Sequence, residues 1–166
     1  ADVSPGQVGT TLVGRPDLSL SEARDRCRMA IINSELGWPA TKRITILLSP
    51  ADLLKRGSHF DLAIAAAVLA ADGRLAASML RDTALIGELT LDGGLRCVAG
   101  VLPMVLAAAE RGISRVFVPG AGVDEEVVVE PVDVVVQGAE GLLDGPEIGL
   151  QLIGRRLLRV ADAVDL

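Results

Sequence analysis

The chain has 166 residues, half of them apolar and 23% charged, which predicts one domain with a sizeable core and excludes a disordered chain. With no Tyr, two Phe and one Trp, that core must come from Ala, Val, Leu and Ile, and a base-stacking surface is disfavoured. A net charge of −6 argues against a simple basic nucleic-acid footprint, and two Cys argue against a disulfide framework.

Residues 8–13 read as a strand closed by Gly14-Arg15-Pro16-Asp17. Ser19 then opens a helix, with Glu22 three residues on completing a capping box. Leu20, Ala23, Cys27, Ala30 and Ile31 form its buried stripe. Glu22, Arg24, Asp25, Arg26 and Arg28 fall mostly on its wet face, and Gly37 and Pro39 stop it. Residues 43–48 are a strand broken by Ser49-Pro50-Ala51-Asp52. A loop with Lys55, Arg56 and Gly57 leads to a second helix at 58–72, ended by Gly73. Residues 83–91 and 95–98 read as a hairpin around Asp92-Gly93-Gly94. A third helix spans 101–111, with Pro103 in its first turn and Gly112 at its stop. Strands follow at 115–118 and 132–136, and an amphipathic helix at 148–164. Alternating strands and helices predict an α/β fold, a mixed sheet with packed helices.

Residues 1–20 lack the basic start and apolar stretch of a signal peptide, and no apolar run reaches membrane-spanning length. The expected compartment is the cytoplasm, with no membrane partner. The start at Ala1-Asp2-Val3 reads as a strand already under way, as expected either of a trimmed chain or of a piece of a longer one.

Charge is unevenly spread. Residues 1–119 carry 13 Lys/Arg against 12 Asp/Glu, whereas residues 120–150 carry eight acids, six Gly and no base. That acidic segment reads either as a solvated edge or as a docking surface for a basic partner.

Chemistry-bearing motifs are sparse. A phosphate-cradling G-x-x-x-x-G-K-[ST] loop is missing, and one His with two distant Cys argues against a metal site. Ser58-His59-Phe60-Asp61 places serine, histidine and aspartate side by side. Ser58 and Asp61 also fit a capping-box start, and His59 fits a neutral hydrogen-bonding role in the first helical turn. Ser58, His59 and Asp61 are thus weak catalytic candidates. Cys27 and Cys97 read as inert small hydrophobes, and Trp38 and Phe60 as core plugs.

Several segments in order carry a resemblance. They are Val3-Ser4-Pro5-Gly6 with Val13-Gly14-Arg15-Pro16-Asp17, then Ile46 through Leu53 continuing to Gly57-Ser58 and Phe60-Asp61-Leu62. Gly87-Glu88-Leu89-Thr90-Leu91-Asp92-Gly93, Gly100-Val101-Leu102-Pro103 and Val116-Phe117-Val118-Pro119 follow. Over residues 3–119 this set resembles the N-terminal domain of the magnesium-chelatase-like AAA+ ATPases of the ComM/YifB competence-protein family. The resemblance implies a fold like the second domain of ribosomal protein S5, shared with the Lon proteolytic domain, over a single domain at 1–166. Laid on the Lon pattern, the catalytic Lys position falls at Met104 and the Ser position at His59, or at Ser58 in a shifted register. Methionine cannot deprotonate a serine, so no Ser–Lys dyad forms. Lys55 is a conceivable substitute on the loop before the helix.

The resemblance therefore implies a non-catalytic assembly or substrate-guiding domain. ATP and Mg would be bound by a downstream AAA+ module, with no cofactor in this chain. It further implies a hexamer, with DNA engaged through the parent protein as a branch-migration motor. The competing expectation is a Lon-like serine peptidase with an unusual site.

Overall fold

The computed structural model describes residues 1–119 and the backbone of 133–137. The acidic segment at 120–150, save that strand, and the helix expected at 148–164 lie outside the described residues.

The architecture is α/β. Strand β1 (Asp2–Ser4) runs antiparallel and β2 (Gly9–Val13) parallel to β4 (Arg43–Leu47), in the order β1-β4-β2. Strands β6 (Thr83–Leu85), β9 (Arg115–Pro119) and β10 (Asp133–Gln137) form a second, all-parallel sheet in the order β10-β9-β6. Two small pairs complete the strands among the described residues: β3 (Arg15–Pro16) with β5 (Leu54–Lys55), parallel, and β7 (Glu88–Leu89) with β8 (Leu95–Arg96), antiparallel. The single mixed sheet expected from the sequence is thus divided. One division falls at Gly87, where an added Cβ would lie 2.7 Å from Leu95 Cδ1 and 3.2 Å from Pro119 Cγ. Gly87 also has φ +155°, a conformation L side chains rarely adopt, and it is there that the run at 83–91 divides into β6 and β7. Another falls at Gly14, whose hypothetical Cβ would sit 2.8 Å from the Leu48 carbonyl oxygen.

The helices are α1 (Leu18–Ser21), α2 (Ala23–Asn33), α3 (Asp61–Ala71) and α4 (Val101–Glu110), with a 3-10 turn at Ala77–Leu80. The first helix is capped by Asp17, whose carboxylate accepts from the Leu20 N–H at 2.8 Å. That displaces the expected Ser19 capping box, and Glu22 becomes the junction between α1 and α2. Helix α3 starts at Asp61, and its N-cap Phe60 makes no side-chain cap, so Ser58 is not a helix cap either.

Helix α3 is apolar nearly all round and packs among α2, β1 and β4. Such a helix has to be central, because no face of it tolerates water. Leu62, Ile64, Ala65, Ala66, Val68 and Leu69 are buried there with Leu20, Cys27, Ala30, Ile31, Ile44 and Ile46. Trp38 and Phe60 are half-buried against this core, as expected of plugs. A smaller cluster of Ile86, Val105, Ala108, Val116 and Val118 joins α4 to the second sheet.

Candidate functional site

Asp61, the first residue of α3, is fully buried. Its carboxylate accepts from Arg26 Nε at 2.7 Å, from Arg26 Nη2 at 3.0 Å and from the Leu89 N–H at 3.2 Å. Burial pushes its pKa up, and the Arg26 guanidinium and the Leu89 amide pull it back. Arg26 also donates from Nη2 to the Ser19 carbonyl at 2.9 Å. One ion pair therefore ties α1, α2, α3 and the β7–β8 hairpin together. The sequence reading placed Arg26 on the wet face. It sits three residues after buried Ala23 and four before buried Ala30, at the margin of the stripe. Its long stem lets the guanidinium turn inward from there.

Ser58 lies on the loop before α3, and its Oγ–H donates to a carboxylate oxygen of Glu88. The other Glu88 oxygen is 3.9 Å from Arg96 Nη1. His59 stands beside Phe60 with ring centroids 4.1 Å apart, and its carbonyl accepts from the Gly87 N–H at 3.1 Å. Partial burial lowers the His59 pKa against the pull of Asp61 and Asp17, which favours the neutral ring. Ser58, His59 and Asp61 are therefore neighbours, but Asp61 spends its oxygens on Arg26 and Leu89 and the Ser58 hydroxyl faces Glu88.

Lys55 belongs to the short strand β5, not to a loop as the sequence suggested; it is buried, and its Nζ donates to the Leu53 carbonyl at 2.9 Å. Met104 packs against the cluster between α4 and the second sheet. Cys27 is buried as expected, and burial pushes its thiol pKa up. Cys97 is exposed, not buried as its sequence position suggested, because β8 ends at Arg96 and leaves it outside the strand.

Above the ion pair lies an open groove of about 520 Å³, lined by Glu22, Asp25, Arg26, Glu88 to Leu91 and Arg96. Its carboxylates and guanidiniums are largely paired with one another, an arrangement suited to holding the hairpin in place. Glu88 was the residue whose role in this arrangement the sequence reading did not single out. Among the described residues no group of three or more His, Cys, Asp or Glu could hold a metal ion, and no helix is long and apolar enough to cross a membrane.

Residues 1–122 match the family described as subunit ChlI of Mg-chelatase. The chain belongs to the magnesium-chelatase-like ComM/YifB family. It is 50% identical over 106 residues to competence protein ComM of Haemophilus influenzae, covering 64% of this chain and 21% of that protein. It is 49% identical over 110 residues to the uncharacterised YifB of Escherichia coli, covering 66% and 22%. An uncharacterised protein of Mycobacterium tuberculosis is 48% identical over 134 residues, covering 81% and 26%. The chain thus spans about a quarter of the length of these relatives.

Within this family's chain the residues that carried the resemblance acquire physical roles. Asp17 of the Gly14-Arg15-Pro16-Asp17 turn caps α1 and accepts from the Gly57 N–H at 3.1 Å, joining two of the matching segments. Asp61 accepts from the Leu89 N–H and so joins the second of these to the Gly87–Gly93 segment.

Proposed function

We propose that this chain is an N-terminal, Lon-like domain, with the fold of the second domain of ribosomal protein S5, in a magnesium-chelatase-like AAA+ ATPase. It serves assembly or substrate guidance and does no bond-breaking chemistry of its own. The parent protein binds ATP and Mg in a separate module, forms a hexamer and drives branch migration of DNA. The observation that carries this reading is the match over residues 1–122, together with half identity to a competence protein over 106 residues. The Ser58 hydroxyl held by Glu88, with Met104 packed in the apolar cluster, supports the non-catalytic role.

The test uses the longer protein that contains this chain, supplied with Mg·ATP and a four-way DNA junction. Hexamer formation and ATP-dependent movement of the junction are expected, both unchanged by Ser58→Ala. A longer protein that hydrolyses ATP without moving any branched DNA would overturn the motor assignment. Cleavage of an unfolded protein substrate, abolished by Ser58→Ala, would replace the non-catalytic role with that of a Lon-like peptidase.

A further inference from the structure

Arg24 and Arg28, one turn apart on α2, face away from Asp61. With Lys42, Trp38, Val8 and the start of β2 at Gly9 and Thr10, they line a second groove of about 230 Å³. Asp25 is the one anion among the lining residues, so the groove has an excess of positive charge. Arg24 pairs with Asp25 and Lys42 with Asp72, yet the two cationic side chains remain 47% and 45% exposed. No side-chain hydrogen bond holds Arg28 among the described residues. Beside these cations runs an open strand edge: among the described residues β2 is hydrogen-bonded to β4 alone. Val8, just before it, is 61% exposed, and a Cβ added at Gly9 would meet nothing within 4 Å, so another backbone can come close.

A strand edge unpaired among the described residues and set beside excess cations fits an extended, β-forming, acidic segment, whose main chain pairs with the strand while its carboxylates meet the arginines. The chain itself carries such a sequence. Residues 123–130 read Val-Asp-Glu-Glu-Val-Val-Val-Glu, four valines and four acids with no base. We propose that residues 123–130 of a second copy of this chain add to the open edge of β2, with their acids against Arg24, Arg28 and Lys42. Groove and segment are different surfaces, so the contact is heterologous and runs head to tail from copy to copy. It stands independently of any ATPase or DNA activity.

The experiment titrates the 166-residue chain with an acetylated peptide of residues 122–131 and follows emission from Trp38, the one tryptophan, which lines the groove. A saturable change is expected, weakening about tenfold or more between low and physiological salt. Arg28→Glu should weaken it by about tenfold or more with an unchanged thermal melt, since Arg28 is exposed. A peptide carrying Val128→Pro should bind less well, because proline removes a main-chain donor. Sedimentation of the chain alone should show self-association that the triple variant Asp124→Asn, Glu125→Gln, Glu126→Gln abolishes. A peptide that leaves Trp38 emission unchanged at low salt, or binds Arg28→Glu as well as the parent, overturns the proposal. So does a chain that stays monomeric at high concentration. Tighter binding of an oligothymidylate than of the peptide at equal salt would make the groove a nucleic-acid surface instead.

Discussion

Helix α2 carries Arg24, Arg26 and Arg28, the same side chain at every second position, and the three meet different fates. At about 100° per residue, Arg26 points roughly opposite to the other two, while Arg24 and Arg28 lie almost above one another. Arg26 is drawn under the β7–β8 hairpin and closes on a carboxylate with no exposure at all. Arg24 and Arg28 stay in water beside β2. The difference teaches that the first groove is an internal joint whose charges answer one another, and that the second has charge left over for something else.

The comparison breaks most sharply at the joint. Arg26→Met leaves the Asp61 carboxylate buried without its cation and should cost about 3–5 kcal/mol in denaturant unfolding. Adding Asp61→Leu should restore most of that loss, because a buried pair replaced whole by apolar groups is close to neutral. A small loss for Arg26→Met would mean that the joint is decoration. Next comes Asp17→Ala, which orphans the Leu20 and Gly57 amides together and should cost about 1–2 kcal/mol.

A smaller, pH-dependent effect belongs to Asp72, whose side chain is 6% exposed. Hydrogen bonds from Lys42 and Arg74 hold its pKa below the usual carboxylate range. A depressed folded pKa adds stability above the unfolded value of about 3.9, and that stability is lost as pH falls through the lower folded value. Asp72→Asn should therefore flatten the acid limb of a stability-versus-pH curve and leave its slope near neutrality alone. Smallest of all is Arg28→Ala, expected to change stability by no more than about 0.5 kcal/mol, as for a surface cation with no side-chain hydrogen bond among the described residues. If Arg28→Ala cost as much as Arg26→Met, the contrast between the two faces of α2 would collapse.

Local chemistry was legible where one segment decides its own state. The apolar run that became α3, the β-branched run of β4 and the Asp92-Gly93-Gly94 turn all formed where propensity and pattern agree. So did the burial of the Ala23, Cys27, Ala30 stripe. Capping was misread twice, at Ser19 and at Ser58, since both sequences satisfy the pattern and yet a neighbour offered a better partner. For Ser19 it was Asp17, two residues upstream; for Ser58 it was Glu88, thirty residues downstream. The two-residue pair β3–β5 was invisible because neither strand has a period to detect. Family membership was legible because it rests on the order of short segments along the chain.

By itself the sequence determined the α/β class, the order of the main elements, the aliphatic core and the family, all of which follow from local pattern and from identity along the chain. Only the tertiary structure decided which of three equivalent arginines is part of the framework, that the serine faces a carboxylate, and that, among the described residues, the outer edge of β2 is unpaired beside Arg24, Arg28 and Lys42. Those outcomes depend on residues distant in sequence arriving at hydrogen-bond distance. Asp61 and Arg26 are 35 residues apart, and Ser58 and Glu88 are 30. Whether Arg26 turns inward is set by the packing of α2 on α3, which no window of sequence contains.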